Sequence, residues 1–129
     1  MIIVDTSVWI DYFNGRETPQ SRALDSLLGR DPIAIGDLIL AEILQGFRSD
    51  RDYLRAKRAL LALPVLEMLG VERSIKCAEN FRALRKKGVT IRKTTDVIIA
   101  SYCIDNSHAL LYADRDFDPF VKHLGLATL

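Results

Sequence analysis

The sequence predicts an α/β fold in which helices cover both faces of a central parallel sheet. Short aliphatic runs, typical of strands buried on both faces, alternate with longer amphipathic segments typical of helices. Strands separated by helices pair in parallel, because a parallel pair needs a crossover of a dozen or more residues. The length of 129 residues fits one domain, which we predict to span residues 1–129.

The first half of the chain alternates strands with helices. Three strands are predicted there, at Ile2–Val4, Ile33–Ile35 and Val65–Leu69. Four helices are predicted between them: one capped by Thr6 or Ser7 and ended by Asn14-Gly15, one opened by Thr18-Pro19, one over Leu38–Phe47, and an Arg-rich one from about Asp50 to Leu63. These boundaries follow from the preference of Ser and Thr for N-caps, of Pro for the first turn and of Gly for helix ends.

The second half repeats the alternation. Its predicted elements are a helix over residues 72–87 ended by Gly88, a helix capped by Thr94-Thr95-Asp96 that runs to Ile104, a strand at Ala109–Tyr112, a short helix over Phe117–His123, and a terminal strand at Leu126–Leu129. This order completes a small α/β sandwich, with no linker or repeat to divide it.

Composition describes a folded domain rather than a disordered chain, with 49% hydrophobic and 27% charged residues. The net charge of +1 argues against nucleic-acid binding by bulk charge alone. Cys77 and Cys103 form no CxxC pair, so we expect reduced, buried thiols. The start lacks the basic region of a signal peptide, and no apolar stretch approaches the ~20 residues of a membrane span. We therefore expect a cytoplasmic protein.

Five carboxylates lie at positions from which they can reach the carboxyl ends of the strands, where parallel sheets place their functional groups. They follow a predicted strand or lie in a predicted helix: Asp5, Glu42, Asp96, Asp114 and Asp116. Ligands of open parallel sheets bind beyond the carboxyl ends of the strands, so these side chains can face one crevice. Each aspartate also has a purely structural explanation, because Asp is common in turns and in the first turn of helices.

Glu42 is harder to explain structurally. Leu38 and Ile39 lie one helical turn before it, and apolar residues cover the adjoining face. A carboxylate in such surroundings is costly unless something positive compensates it. No basic residue occurs between Asp31 and Phe47, so the partner comes from elsewhere in the fold or is a metal ion.

Converging carboxylates predict a divalent cation. Two of them about 5 Å apart repel by roughly 3 kcal/mol at an effective dielectric constant of about 20. All-oxygen ligands favour Mg²⁺ or Mn²⁺ over zinc, and His108 and His123 lack the spacing of a metal site. An acidic centre of this kind activates a water molecule and stabilises charge on a phosphodiester.

The remaining charges suit a polyanionic substrate. Apart from the five acids above, 12 acidic side chains stand against 18 basic ones. Six bases and no acid occur from Arg82 to Lys93. From this run we select Arg85, Lys86 and Arg92 as candidate RNA contacts, the alternative being an ordinary solvated helix face.

The residues around these acids resemble those of PIN-domain nucleases and, among them, the VapC toxins of toxin–antitoxin pairs. The matching segments are Ile3-Val4-Asp5-Thr6-Ser7-Val8-Trp9-Ile10, Leu40-Ala41-Glu42-Ile43, Thr95-Asp96-Val97-Ile98-Ile99-Ala100 and Leu110-Leu111-Tyr112-Ala113-Asp114-Arg115-Asp116-Phe117. They are spread over nearly the whole chain, in the order and at the intervals usual for the family.

The resemblance implies an endoribonuclease dependent on Mg²⁺ or Mn²⁺. It implies that Asp5, Glu42, Asp96 and Asp114 form the metal-binding quartet and that Asp116 is an auxiliary acid. The Thr6 hydroxyl would orient a carboxylate or a water molecule, or alternatively cap the first helix.

The VapC resemblance further implies cleavage of tRNA or rRNA, a VapB-type antitoxin that covers the site, and a toxin homodimer. The apolar side chains of Trp9, Ile10, Tyr12 and Phe13 exceed what one helix needs for packing, which is compatible with a groove for a partner helix.

Two other functions remain open from the sequence. A stand-alone PIN nuclease for RNA processing would carry the same acids without an antitoxin. A non-catalytic or phospho-acceptor α/β module is the alternative from another class. A phospho-acceptor module needs an acidic pair after the first strand and an acceptor Asp after the third, but Asp5 stands alone and Met68-Leu69-Gly70 ends the third strand.

Overall fold

The computed structural model describes all 129 residues and contains a four-stranded parallel sheet in the order β3-β2-β1-β4. The strands are β1 (Ile2–Val4), β2 (Ile33–Gly36), β3 (Val65–Leu66) and β4 (Ala109–Leu111). In the register of the sheet, Ile2 lies between Ile33 of β2 and Ala109 of β4. The predicted fold class is therefore confirmed.

The helices fall into two groups, which follow from this strand order. They are α1 (Thr6–Phe13), α2 (Pro19–Leu27), α3 (Asp37–Gln45), α4 (Asp50–Leu61), α5 (Val71–Lys86), α6 (Thr94–Asp105) and α7 (Asp118–Leu124), with a 3₁₀ turn at Arg115–Phe117. The chain runs outward from β1 to β3 and then returns to the far side of β1. Right-handed crossovers in opposite directions put helices on opposite faces. Accordingly, α1 packs on α2 and α3, and α3 on α4, whereas α5 packs on α6 and α7.

The core lies between the sheet and the two helix groups. Strand β2 is buried along its whole length, and α6 is buried without interruption from Asp96 to Cys103. Within this layer the Asn80 side-chain amide donates a hydrogen bond of 2.9 Å to the Ser101 hydroxyl. Both cysteines are buried free thiols, as predicted. None of the helices has the length and apolar character that crossing a membrane requires.

Strand β3 is shorter than predicted, because the chain leaves the sheet after Leu66. The Met68 amide donates a hydrogen bond of 3.1 Å to Asp37 Oδ1, which also accepts the Leu38 amide. This side chain draws the predicted end of the strand toward the start of α3. Gly36 permits the approach, since a Cβ at that position would collide with the Met68 side chain.

The C-terminal elements also differ from the prediction. The segment expected as a terminal strand makes a single parallel bridge, between Leu110 and Thr128. The helix predicted from Phe117 is preceded by the 3₁₀ turn, and α7 begins at Asp118 with Pro119 in its first turn. Asp116 lies in this turn, and Asp114 is its N-cap residue.

Candidate active site

The site lies at the switch point of the sheet, where the connections leaving β1 and β4 turn to opposite faces. Asp5 directly follows β1, and its amide donates a hydrogen bond of 2.9 Å to the Leu111 carbonyl at the end of β4. Asp114 follows β4 by three residues. Pairing of the two strands therefore brings residues from opposite ends of the chain to one crevice, as the sequence predicted.

Three carboxylates meet in this crevice. Asp96, Asp114 and Asp116 each present an oxygen, and these oxygens all lie within 4.8 Å of one another. The first turn of α6 supplies Asp96, whose exposed fraction is only 6%. The 3₁₀ turn holds the other two, because Asp114 Oδ1 accepts the Asp116 amide at 2.9 Å.

Asp5 and Glu42 lie beside this group rather than within it. The Ser7 hydroxyl donates a hydrogen bond of 3.0 Å to Asp5 Oδ2, and the Thr6 hydroxyl donates one of 2.8 Å to Glu42 Oε1. Repulsion from Glu42 helps to raise the pKa of Asp5, and repulsion from Asp5 helps to raise that of Asp96. The five predicted acids thus share one electrostatic environment.

Thr6 does not cap the first helix, which corrects one of the two roles expected for it. Asp5 is the N-cap residue of α1, without a side-chain capping bond, and the Thr6 hydroxyl is used on Glu42 instead. The sequence also predicted a positive partner for Glu42. Its hydrogen-bond partner within the protein is the neutral hydroxyl of Thr6. Similarly, Lys93 occupies the N-cap position of α6, and no side chain caps that helix.

Burial dominates the electrostatics of the site. It raises the pKa of Asp96 to about 6, assisted by repulsion from Asp5, Asp114 and Asp116 and opposed by the nearby Lys93. Burial is also the main reason why the pKa of Asp5 is raised. Asp96 Oδ2 is buried and has no hydrogen-bond partner. A buried carboxylate oxygen left in this state is stabilised by a cation that binds it.

Two bases that the sequence analysis had assigned to a basic surface contact the acids directly. Lys93 Nζ lies 3.4 Å from Asp114 Oδ2 and 4.0 Å from Asp96 Oδ2. A guanidinium nitrogen of Arg92 lies 3.0 Å from Asp116 Oδ2. Lys93 was missed as a site residue, although its position three residues before Asp96 is a usable signal. Arg92, predicted as an RNA contact, is paired with Asp116 in this structure.

The other two predicted RNA contacts are not paired with the acids. Arg85 and Lys86 are exposed in the last turn of α5. The Arg85 guanidinium lies 5.5 Å from the ring centroid of Phe81 on the same helix. Both side chains are therefore free to meet a ligand in solution.

The donor set fits a divalent cation that prefers oxygen ligands. It offers three carboxylates at short mutual distance, one of them with a buried oxygen that accepts no hydrogen bond. Mg²⁺ and Mn²⁺ bind such ligands, whereas zinc prefers the nitrogen and sulfur donors that this crevice lacks. Neither histidine belongs to this donor set. His108 Nδ1 lies 3.1 Å from the N-terminal amine, and His123 lies in the last turn of α7.

Comparison with known proteins finds similar sequences and structures over nearly the whole chain. The model of the PIN domain family matches residues 2–121. The chain is 31% identical over 124 residues to Ribonuclease VapC11 of Mycobacterium tuberculosis and, equally, to VapC ribonuclease Mb1587 of Mycobacterium bovis, covering 95% of this chain and 92% of each relative.

Solved structures share the fold over the whole chain. VapBC2 from Rickettsia felis, bound to a promoter DNA fragment, superposes with a TM-score of 0.78 at 21% identity, covering 100% of this chain and 98% of the other. VapBC-1 from nontypeable Haemophilus influenzae gives a TM-score of 0.72 at 20% identity, covering 100% and 97%.

Proposed function

The chain belongs to the PIN-domain family, and on that basis we propose that it is a metal-dependent endoribonuclease of the VapC type, the toxin of a type II toxin–antitoxin pair. The observation that carries the proposal is the convergence of Asp114 and Asp116 on the buried Asp96, whose Oδ2 accepts no hydrogen bond. A purely structural cluster would be expected to satisfy that oxygen within the protein.

Asp96, Asp114 and Asp116 would hold the cation, with Asp5 and Glu42 beside them; Mg²⁺ is the expected ion and Mn²⁺ the alternative. When bound, the ion supplies Lewis-acid chemistry that makes water a better nucleophile and offsets charge on the phosphate. Glu42 has one oxygen held by Thr6, which leaves Oε2 to accept a hydrogen bond from a water molecule and orient it. Asp5 is fixed in turn by Ser7.

The RNA substrate, tRNA or rRNA, would meet positive charge at the edge of the acidic crevice. Lys93 and Arg92 lie against the acids with 55% and 77% of their side chains exposed, so both can turn toward a phosphate. Arg85 and Lys86 extend this positive surface along α5. We expect the protein to act in the cytoplasm, where these RNAs are found.

The antitoxin partner, a VapB-type protein, would bind between α1, α3 and α4. Two cavities of about 320 Å³ and 80 Å³ adjoin there and share Phe13, Asn14 and Phe47. Ile10 is 39% exposed beside them, whereas Trp9 is buried in the core. An apolar helix of a partner would cover this surface.

A second copy of the chain would bind at the junction of β3 and α5. Strand β3 is an edge of the sheet, and apolar side chains are exposed after it, among them Leu69, Val71 at 81% and Ile75 at 58%. Exposed apolar residues grouped in this way are typical of protein contacts. The homodimer is therefore part of the proposal.

Controlled expression of the chain without its antitoxin tests the proposal. We expect growth to stop and tRNA or rRNA to be cut, and we expect the Asp96→Asn variant, expressed to the same level, to do neither. Co-expression of a small neighbouring gene encoding a DNA-binding protein should restore growth. RNA cleavage without any such neighbour would favour the stand-alone RNA-processing nuclease, and intact RNA at high levels of soluble protein would contradict both.

A further inference from the structure

A cavity of about 340 Å³ opens between the middle of α5 and the first turn of α6. We propose that it is a nucleotide-binding subsite, in which one unpaired base of the RNA lies against Phe81 while the adjoining phosphates contact Arg82 and Arg85. This inference rests on the proposed function and deepens it, because it names where the substrate binds next to the acids.

The side chains of the cavity match the two parts of a nucleotide. Cys77 and Val97 are buried and form an apolar floor with the half-buried ring of Phe81. Arg82 and Arg85 are exposed on its rim, and no acidic residue lines it. Binding of single-stranded nucleic acid combines these same features, an aromatic ring for the base and positive charge for the backbone.

The rim is arranged around the ring rather than scattered over the helix. Phe81 and Arg85 are one helical turn apart, and the guanidinium lies 5.5 Å from the ring centroid. Arg82 follows Phe81 directly and lines the same cavity. A base stacked on Phe81 would therefore have a positive charge on either side, within reach of the phosphates that flank it.

The cavity adjoins the acidic crevice through a single helical turn. Thr94 and Val97 line the cavity, whereas Lys93 and Asp96 face the acids. Each pair is three residues apart on α6, so the two pairs occupy neighbouring faces of the same turn. Thr94 directly follows Lys93 and Val97 directly follows Asp96, so each of these cavity residues has its Cα about 3.8 Å from that of a residue facing the acids. A nucleotide in the cavity would thus be adjacent to a phosphate placed at the edge of the acidic crevice.

A protein partner fits this cavity less well than RNA. The surface proposed for the antitoxin lies on the other helix group, around Phe13 and Phe47, and the surface proposed for the second copy lies at the start of α5, around Val71, whereas the arginines of the cavity lie in its second half. Here two arginines and the Thr94 hydroxyl border a small apolar floor, and such a border favours a polyanion with one flat apolar group.

The test measures binding of a fluorescent single-stranded oligoribonucleotide of about ten nucleotides, without divalent ions, as a function of salt. Phe81→Leu should weaken binding about fivefold or more while leaving the salt dependence unchanged, because it removes a stacking surface and no charge. Arg82→Ala combined with Arg85→Ala should also weaken binding and should flatten the salt slope by about 0.7 for each phosphate that is no longer neutralised.

Arg51→Ala combined with Arg58→Ala is the matched control, since it removes the same charge from exposed positions of α4. It should keep the affinity of the wild type. Photocrosslinking of 4-thiouridine RNA to the wild-type protein adds a measurement that needs no variant, and the crosslinks should map to residues 74–85 or 94–97.

The inference and the proposed function fail in different ways. If the wild type cuts RNA but both cavity variants bind like the wild type, or if the crosslinks fall elsewhere, the subsite is wrong and the nuclease stands. If the wild type binds RNA through the cavity but never cuts it in Mg²⁺ or Mn²⁺, the subsite stands and the nuclease is wrong.

Discussion

Thr6 holds Glu42 by a hydrogen bond of 2.8 Å, across 36 residues of sequence. The bond joins the first turn of α1 to the second half of α3, two helices that start from neighbouring strands. Glu42 therefore has a fixed position although no basic group accompanies it. The hydrogen bond from the Thr6 hydroxyl, rather than an ion pair, fixes the orientation of the free oxygen Oε2.

Replacing Thr6 with Val should lower the kcat of RNA cleavage by about tenfold or more, since even a small misplacement of a positioned group is costly. Val keeps the shape of Thr but lacks the hydroxyl, so stability should fall by only ~1 kcal/mol. Thr6→Ser is the matched control and should retain most activity. Equal kcat values for Thr6→Val and the wild type in single-turnover assays would contradict the positioning role.

Asp96→Asn should leave the metal-free protein as stable as the wild type at pH 7, or more stable. The substitution removes one charge from a repulsive cluster, which outweighs the loss of a first-turn acid worth ~0.3–1 kcal/mol. Mn²⁺ at about ten times its dissociation constant should stabilise the wild type by ~1.4 kcal/mol, a shift of several degrees in Tm. The variant should lose most of that shift together with RNA cleavage. A destabilised variant with a full metal shift would show a purely structural Asp96.

The raised pKa of Asp96, about 6 against an ordinary 3.8, also predicts a pH dependence. The folded state binds this proton more readily than the unfolded state, so the contribution of Asp96 to stability increases as pH falls from 7 through 6 toward 4. Mn²⁺ affinity should change in the opposite direction, because protons compete for the same oxygens. Melting curves and calorimetric titrations between pH 5 and 7.5 measure both trends, and neither should be seen to the same extent in Asp96→Asn.

Lys93→Met should lower the Tm of the metal-free protein and enlarge the rise in Tm that Mn²⁺ produces. The ammonium, 3.4 Å from Asp114 Oδ2, offsets repulsion among the acids when no cation is bound and opposes the cation when one is. The substitution removes no helix cap, because Lys93 makes no capping bond. Lys87→Met, at an exposed residue after α5, is the control. A metal-induced shift equal to that of the wild type would contradict the role of Lys93.

Gly36→Ala should destabilise the protein by ~1–3 kcal/mol, the usual effect of overpacking a filled core. The new methyl group would collide with the fully buried Met68 side chain. Adding Met68→Ala makes room for it, so the double variant should lose less stability than the two single changes added together. Urea denaturation of the four proteins measures this coupling, and strict additivity would exclude it.

Val71→Glu combined with Ile75→Glu should convert the expected dimer to a monomer without loss of fold. Both side chains are exposed, so neither change disturbs the core. Leu54→Glu, at an exposed position of α4, is the control and should leave the mass unchanged. Light scattering after size-exclusion chromatography measures the mass. A variant that remains dimeric would show that the dimer interface does not include Val71 and Ile75.

Local patterns in the sequence were sufficient for most of the fold. The aliphatic runs of β1, β2 and β4 are buried on both faces. A continuous aliphatic run identifies such a strand without knowledge of the strands that pair with it. Helix α2 begins at Thr18-Pro19 as predicted, and Thr18 and Ser21 form a capping box there. The positions of Asp5, Asp114 and Asp116 were predictable because these acids follow strand ends, whose position the parallel topology determines.

The features that could not be predicted all depend on contacts distant in sequence. Thr6 could have capped the first helix, but its hydroxyl donates a hydrogen bond to Glu42. Asp37 shortened β3 through a hydrogen bond to the amide of Met68, 31 residues away. Lys93 had the pattern of one base in a solvated run, because its contact with Asp114, 21 residues later, leaves no signal in the local sequence. In each case a tertiary partner outweighed a valid local preference.

The strand order has a consequence for the timing of synthesis. The acids extend from Asp5 to Asp116, and β4, which brings the last two into position, spans residues 109–111 of 129. A chain emerging from the ribosome at roughly 5–20 residues per second has β1 with an open edge and an incomplete acidic crevice until residue 116 has been made. A nascent chain that has not yet reached β4 therefore lacks Asp114 and Asp116, two of the three carboxylates that meet at the crevice.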